Sequence, residues 1–401
     1  MKRTILFLAI VMPLLVAEAR PLSKKAKMDQ LISAKQAILI DYETGDCLFK
    51  KCADEPCVPS SMTKLMTLYL LFSAISSDRI KLDDEFPVSE AAQKIKGSRS
   101  FLQAGTMVKV EDLIRSVVVH SGNDACIVVA EGMAGDVEAF AEEMNEKAKE
   151  FGLKNTNFVN PTGMPDEEHF SSVRDLAIRS RRIISDFPQF YHYFSEKTFT
   201  INSITQQNRN TLLGNSLNVD GLKTGKTNSG GYGIAASASN DGKRLIVVVN
   251  GCKTSRARAT DANRLLALGF KEFTPLKIAE AGKQISQVSV WLGLKDKVGL
   301  CPHEDIVATM PKKYKNQLKV EIKFMEPVEA PVALGAKLGE LVYRYGNVTS
   351  QKYDLFAQES IGRANFFQRA KLSLKHLIFG DEDIKQVVKS STDTEKFSEV
   401  P

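Results

Sequence analysis

The spacing of apolar residues along the chain predicts strands and helices in a definite order. From Ala37 to Phe49, apolar residues lie on both sides of Glu43-Thr44-Gly45, which predicts a β-hairpin. Pro59 and the serines after it are typical of a helix start, and apolar residues from Leu65 to Phe72 supply a broad buried face. A second hairpin is predicted where Asn240-Asp241-Gly242 separates two apolar runs.

The region between these hairpins is helical in pattern. Val110 to Ala134 is an apolar, helix-rich stretch that Ser121-Gly122-Asn123 interrupts. Helices between two terminal hairpins predict an α+β fold over residues 20–274, with one mainly antiparallel sheet built from N-terminal and C-terminal strands and flanked by helices.

The pattern changes to strand spacing near residues 270–275. Alternating apolar and polar residues over Gln284–Leu292, Leu318–Phe324 and Lys337–Tyr343 predict a small β-rich domain. We place this second domain at residues 275–361.

The last forty residues differ again. Residues 362–380 predict an amphipathic helix whose polar face carries Arg369, Lys371 and Lys375, and residues 363–380 contain no acidic residue. Such a helix suits an anionic membrane surface, and packing on the β-rich domain is the alternative. Its apolar arc consists of Phe366, Phe367, Ala370, Leu374, Leu377 and Ile378. We expect the polar tail, residues 381–401, to be disordered.

The N-terminus has the three parts of a secretory signal. Lys2 and Arg3 are followed by an apolar run from Ile5 to Val16 and by Ala17-Glu18-Ala19. This order predicts a signal peptide over residues 1–19 and an exported protein, with an uncleaved anchor as the alternative.

Composition limits the classes of function. The chain has 401 residues, of which 43% are hydrophobic and 25% charged, so it is long enough for two cores. The net charge of +6 is small, and no zinc-finger spacing or basic run with interleaved aromatics indicates nucleic acid. We expect no metal or other cofactor.

Three of the six cysteines lie close together. In an exported chain, two of Cys47, Cys52 and Cys57 would be near enough in sequence to form a disulfide. Roles as small buried apolar residues are the alternative, and which two would pair stays open.

Ser61-Met62-Thr63-Lys64 is the first of three motifs that carry chemistry. At the start of a helix, residues three apart share a face, so the Lys64 amine is within reach of the Ser61 hydroxyl. A serine hydroxyl becomes a good nucleophile only when a base takes its proton, and a lysine acts as that base when burial or a second cation lowers its pKa. No other serine in this chain has a lysine three positions later.

Two further motifs follow. Ser121 offers a hydroxyl that can relay a proton to a leaving amine, and Asn123 offers an amide for a peptide carbonyl. Lys223-Thr224-Gly225, at a strand edge, supplies a cation and a hydroxyl for a carboxylate, and a glycine that lets a substrate backbone approach.

The three motifs in this order match the set of the penicillin-binding proteins and class A β-lactamases. The longer runs Pro59–Thr67, His120–Ala125 and Val219–Thr227 strongly resemble the low-molecular-mass D-alanyl-D-alanine carboxypeptidases. The resemblance implies a penicillin-recognising, β-lactamase-like catalytic domain. It also implies β-lactams as covalent inhibitors, peptidoglycan stem peptides as substrates, and a location at the periplasmic face of the bacterial inner membrane.

The resemblance also implies roles for individual residues. Ser61 would be acylated by the penultimate D-alanine with release of the terminal D-alanine, Lys64 would be the base, and Ser121 would assist proton transfer. Lys223 would help to bind substrate, and the backbone N–H groups of Ser61 and Lys226 would form the oxyanion hole.

Two arginines resemble the family's carboxylate-binding arginines. Arg258 resembles the one that meets the terminal carboxylate. Arg209 resembles a second site arginine, although the stretch from Arg209 to Lys223 is one residue shorter here than in the family.

Other functions of the same motifs stay open. A class A β-lactamase needs a glutamate-centred loop for its deacylating water, whereas Pro161–Pro165 resembles the carboxypeptidase pattern despite Glu167 and Glu168 nearby. A protein that binds β-lactams or the cell wall without turnover, and an endopeptidase, share every motif. His120 abuts Ser121, but adjacent side chains rarely point together, so we do not expect a Ser-His pair.

Overall fold

A computed structural model of the chain describes residues 32–350, 352–367, 385–391 and 398–399. The predicted signal peptide lies outside these residues, as does most of the predicted amphipathic helix.

Helices and strands follow one another along the described chain. The α-helices are α1 (Lys64–Ser76), α2 (Glu90–Lys94), α3 (Val110–Arg115), α4 (Asn123–Ala134), α5 (Val137–Glu150), α6 (Val173–Asp186) and α7 (Ser255–Glu272). Shorter helical segments are Ser60–Thr63, Ser116–His120, Pro188–Ser195 and Lys312–Gln317.

The strands of the first 252 residues are β1 (Gln36–Asp41), β2 (Cys47–Lys51), β3 (Glu85–Pro87), β4 (Met107–Lys109), β5 (Thr198–Ile201), β6 (Ile204–Gln207), β7 (Val219–Thr227), β8 (Gly231–Asn240) and β9 (Lys243–Cys252). Those that follow are β10 (Phe273–Ala279), β11 (Ser286–Trp291), β12 (Lys297–Cys301), β13 (Ile306–Pro311), β14 (Lys319–Glu326), β15 (Val328–Glu329), β16 (Lys337–Tyr345), β17 (Val348–Thr349), β18 (Tyr353–Ala357), β19 (Lys385–Ser391) and β20 (Ser398–Glu399).

A five-stranded antiparallel sheet joins both ends of the first domain. Its order is β2-β1-β9-β8-β7, so the N-terminal hairpin pairs with the hairpin formed by β8 and β9. Successive side chains of a strand face opposite sides: Ile38 packs into the helical core, and Leu39 packs toward Leu265 and Leu266 of α7. The predicted hairpins, and the sheet assembled from distant strands, are confirmed.

Helix α1 lies at the centre of the helical core. Most of its residues are buried, and Phe72 stacks on Phe190 with ring centroids 5.0 Å apart. A helix that is buried on nearly all sides needs apolar residues all round, which explains the broad apolar face read from the sequence. The predicted break between Val110 and Ala134 is also present, because the segment Ser116–His120 ends at Ser121 before α4 begins.

The second domain is β-rich, as predicted. Helix α7 ends at Glu272, and β10 begins a separate apolar core that runs from Leu276 to Ile361. The first domain touches it through the β1–β2 turn, where the Thr309 backbone N–H donates to Asp46 Oδ2 at 2.9 Å.

The two described stretches of the tail, residues 385–391 and 398–399, are strands rather than disordered. β19 pairs with β14 in seven antiparallel positions from Lys385 to Ser391, and β20 pairs with β10. The physical reason is an available edge on β14: its backbone groups accept a further strand, and Val387 and Val388 favour the extended conformation.

The structure also bears on the cysteines and on membrane-spanning helices. No disulfide joins any of the six cysteines, all of which lie in described residues, and Cys126, Cys252 and Cys301 are buried as small apolar groups. Within the described ranges, no helix combines the length and the apolar composition needed to span a bilayer.

Candidate active site

Ser61 lies in a helical turn, Ser60–Thr63, that leads directly into α1. Ser60 adopts a left-handed backbone with φ of 51°, and its hydroxyl donates to Thr227 Oγ1 at 3.0 Å. Gly163 packs against the same turn, and a Cβ there would lie 1.8 Å from the Ser60 carbonyl oxygen. The turn is therefore held from two sides, and Ser61 is left facing a cleft.

The Lys64 amine lies directly behind Ser61. Its Nζ donates to Ser61 Oγ at 3.1 Å, to Asn123 Oδ1 at 2.8 Å and to the Thr162 carbonyl at 2.6 Å. The side chain is fully buried, and this desolvation lowers the pKa of Lys64 from 10.5 to about 8, with the Arg209 charge acting in the same direction. The three acceptors fix the amine within reach of the hydroxyl, as the motif predicted.

Ser121 lines the cleft, and Asn123 lies behind its wall. Ser121 has a left-handed backbone, and its Oγ is buried with no hydrogen-bond partner among the described residues. Asn123 begins α4, and its Nδ2 donates to the Lys96 carbonyl at 2.7 Å while its Oδ1 accepts from Lys64. The amide that the sequence assigned to a substrate carbonyl thus also orients the lysine.

Strand β7 supplies the third motif. Lys223 is buried, and burial, with the nearby charges of Lys64 and Arg209, lowers its pKa well below the usual range. A Cβ on Gly225 would lie 2.9 Å from the Pro59 carbonyl oxygen. The glycine is therefore needed for the approach of β7 to the Ser61 turn, a reason that the sequence did not reveal.

Both predicted arginines border the cleft. Arg209 Nη1 donates to Ser98 Oγ at 2.6 Å, and Arg258 Nη2 donates to the Arg209 carbonyl at 3.1 Å and to Ser255 Oγ at 3.0 Å. Arg258 Nε is buried with no partner in the described part of the chain, so its N–H can donate to a ligand.

The predicted residues converge on one cleft of about 450 Å³. Lys64, Asn123 and Lys223 lie behind its wall, and none of the described residues that line it is acidic. The lining residues are Ser61, Ser98, Ser121, Arg209, Thr224, Gly225, Lys226, Tyr232, Ser255 and Arg258. A cavity of about 520 Å³ between Cys57 and His169 contains none of the predicted site residues.

Some residues that shape the site were missed from the sequence. His169 Nε2 lies 2.8 Å from Thr63 Oγ1, and Thr67 Oγ1 donates to the Pro161 carbonyl at 2.7 Å, which together hold the loop that carries Thr162. Burial lowers the pKa of His169 to about 4, so it is neutral at pH 7. These contacts involve single polar residues that no motif marks.

Family models match most of the described chain. Residues 23–254 match the D-alanyl-D-alanine carboxypeptidase family, and residues 273–363 match the C-terminal domain of penicillin-binding protein 5.

Individual relatives agree with the family models. D-alanyl-D-alanine carboxypeptidase DacA of Haemophilus influenzae is 39% identical over 84% of this chain and 87% of its own length. DacC of Escherichia coli is 38% identical over 84% of this chain and 86% of its own. The crystal structure of penicillin binding protein 5 from Haemophilus influenzae superposes with a TM-score of 0.78 at 39% identity, covering 83% of this chain and 98% of that one.

A ligand-bound structure is also similar in fold. Penicillin-Binding Protein D2 from Listeria monocytogenes in its cefotaxime-bound form has a TM-score of 0.56 at 30% identity and covers 60% of this chain and 98% of that one. Matches over both domains, together with the converged motifs, identify this chain as a member of the serine-type D-alanyl-D-alanine carboxypeptidase family.

Proposed function

We propose that this chain removes the terminal D-alanine from peptidoglycan pentapeptides through an acyl-enzyme on Ser61. The observation that carries the proposal is the 3.1 Å contact between Lys64 Nζ and Ser61 Oγ at the base of a cleft that Ser121 and β7 also border. A nucleophile and a buried base within hydrogen-bond distance are what acyl transfer by serine requires.

Lys64 is the general base of this mechanism. With a pKa of about 8, about one Lys64 in ten is neutral at pH 7, compared with about one in three thousand for a lysine of ordinary pKa. The neutral amine takes the Ser61 proton as Oγ attacks the carbonyl carbon of the penultimate D-alanine. The negative oxygen that forms is stabilised by the backbone N–H groups of Ser61 and Lys226.

Ser121 completes the first half of the reaction. Its Oγ has no partner in the part of the chain that the structure describes. It can pass the proton that Lys64 took from Ser61 to the nitrogen of the departing D-alanine, so that the C–N bond breaks and a neutral amine leaves. Water then attacks the Ser61 ester, Lys64 accepts the water proton, and the shortened peptide is released with Ser61 regenerated.

The cationic wall of the cleft selects the substrate's terminal carboxylate. Arg209 and Arg258 contribute positive charge, Thr224 adds a hydroxyl, and no acidic side chain stands among the described lining residues. A carboxylate that enters would find Arg258 Nε, which has no partner among the described residues, and would offset the repulsion between the two arginines. Cleavage is therefore expected at a free C-terminus.

Mass spectrometry of a pentapeptide digest tests this function. The purified chain is expected to convert a peptide ending in D-Ala-D-Ala to the tetrapeptide, with D-alanine as the second product. A Ser61→Ala protein is the matched control and should release none. Stable covalent labelling of the wild type by penicillin without release of D-alanine would favour a non-turnover binding protein, and cleavage of cross-linked peptides alone would favour an endopeptidase.

We further propose export and peripheral attachment to the periplasmic face of the inner membrane. The tripartite N-terminus supports export, and the amphipathic pattern over residues 362–380 supports attachment. Phe366 and Phe367, at the beginning of this pattern, expose 71% and 83% of their surface, which suits contact with acyl chains.

Fractionation tests the attachment without removing β19. Replacing Phe366 and Phe367 by glutamate should move the protein from membrane to soluble fractions while pentapeptide hydrolysis is unchanged. The matched control replaces the exposed Val348, which lies outside the helical pattern, by glutamate. Equal membrane retention of the Phe variants and the wild type would contradict the anchor.

A further inference from the structure

His120 is buried directly before Ser121 and uses both ring nitrogens. Nε2 lies 3.0 Å from the Phe199 carbonyl oxygen, and Nδ1 lies 3.0 Å from Ser100 Oγ. A carbonyl can only accept a hydrogen bond, so Nε2 carries the proton. In the neutral ring, Nδ1 must then accept from the Ser100 hydroxyl, and burial favours this neutral form by lowering the pKa of His120.

These two bonds join separate segments around the cleft. Ser100 belongs to the loop of residues 95–102, which also brings Ser98 to the cleft. The Ser98 hydroxyl accepts from Arg209, and the Ser98 carbonyl accepts from the Asn123 backbone N–H. Phe199 lies on β5, which pairs with β6. Gln206 Nε2 on β6 donates to the Arg99 carbonyl of the same loop at 2.9 Å.

The side chain of Ser121 has no comparable attachment among the described residues, although its backbone N–H donates to the Ser116 carbonyl. Its Oγ makes no hydrogen bond to any described residue, and its left-handed backbone, φ 58° and ψ 36°, is one that serine seldom adopts. A strained residue keeps its conformation only when its neighbours determine it. The adjacent residue His120 has two side-chain hydrogen bonds, and the one to Ser100 is buried.

We infer that His120 is a positioning residue that holds Ser121 Oγ where it can transfer a proton. It does so by linking the 95–102 loop to β5 through a neutral imidazole. The inference rests on the proposed function, because it assigns His120 an effect on the acylation of Ser61. His120 touches no reacting atom. Its effect is exerted through the backbone of Ser121.

Acylation kinetics with a fluorescent penicillin test the inference. His120→Leu, which removes both hydrogen bonds, should slow the acylation step by at least about tenfold, a fraction of the 10²- to 10⁴-fold that a positioned proton-transfer group contributes. The binding constant for the penicillin should change by less than about threefold, because His120 does not line the cleft. The exposed His192 is the matched control, and His192→Leu should acylate at the wild-type rate.

Two further variants separate positioning from simple destabilisation. His120→Gln keeps one donor and one acceptor and should restore acylation to within about threefold of the wild type. Ser121→Ala combined with His120→Leu should be no slower than Ser121→Ala alone, because His120 acts through Ser121. Should His120→Leu fail to fold, Ser100→Ala replaces it in the same double-mutant comparison.

The outcomes distinguish this inference from the proposed function. A wild-type protein that penicillin does not label, and that releases no D-alanine, overturns the proposed function and this inference with it. A wild type that works normally, with His120→Leu acylating at an equal rate, overturns the inference alone. Effects of the two substitutions that multiply in the double variant, or a glutamine variant as slow as the leucine variant, also overturn it.

Discussion

The pH dependence of acylation gives the sharpest quantitative prediction, because it reports the protonation of Lys64 directly. Burial lowers the pKa of this amine to about 8. The neutral fraction then rises from about one in eleven at pH 7 to about ten in eleven at pH 9, so the acylation rate should increase about tenfold and then level off. A lysine of ordinary pKa would give a rate that continues to climb about tenfold per pH unit to beyond pH 10.

A charge placed beside the amine should move this midpoint. Asn123 Oδ1 accepts from Lys64 Nζ at 2.8 Å, so Asn123→Asp puts a carboxylate in direct contact with the ammonium form. An opposite charge at this distance favours the protonated amine and should raise the midpoint by at least about one pH unit. Gln189→Glu adds the same charge at an exposed position on the segment Pro188–Ser195 and should leave the midpoint unchanged.

The assay is stopped-flow acylation by a chromogenic β-lactam from pH 6 to 10.5, under single-turnover conditions. The rate constant for acylation is followed rather than steady-state turnover, because deacylation has its own pH dependence. A profile that is flat across this range, or a midpoint in Asn123→Asp equal to that of the wild type, would refute the role of Lys64 as the base.

Two further predictions concern stability and substrate binding. Gly163→Ala should lower the free energy of unfolding by about 3 kcal/mol or more, because a Cβ would lie 1.8 Å from the Ser60 carbonyl oxygen. Gly152→Ala, at a similar positive φ but with open space around it, should lower it by only about 1 kcal/mol. Urea unfolding compares the two variants, and equal losses would contradict the packing argument. Arg258→Ala should raise KM for a pentapeptide about tenfold or more, with a smaller change in kcat. The effect should vanish for a peptide with an amidated C-terminus. An equal effect on the amidated peptide would show that Arg258 does not bind the carboxylate.

Local patterns in the sequence predicted the elements that carry the site. Helix spacing placed Lys64 one turn from Ser61, and turn residues marked the hairpins of the five-stranded sheet. The three motifs converge because β7, the Ser121 turn and α1 pack together. That packing depends on long-range contacts that periodicity does not encode. The convergence of the motifs could therefore be predicted only because the whole set resembles a known family.

The remaining features had no signal of their own in the sequence. Lys64 is held partly by the backbone carbonyl of Thr162, and any residue type supplies a carbonyl. Gly225 is explained by the closeness of Pro59, which lies far away in the chain. The strand β19 was missed because a short polar segment with two valines becomes a strand only when a free sheet edge, here β14, is present.

Peptide mapping after reaction with penicillin tests the central claim most directly. Mass spectrometry of the digested wild-type protein should find one covalently bound penicillin, on the peptide that contains Ser61, and Ser61→Ala should carry none and release no D-alanine from a pentapeptide. An adduct on another residue, or D-alanine release by Ser61→Ala at the wild-type rate, would contradict the account.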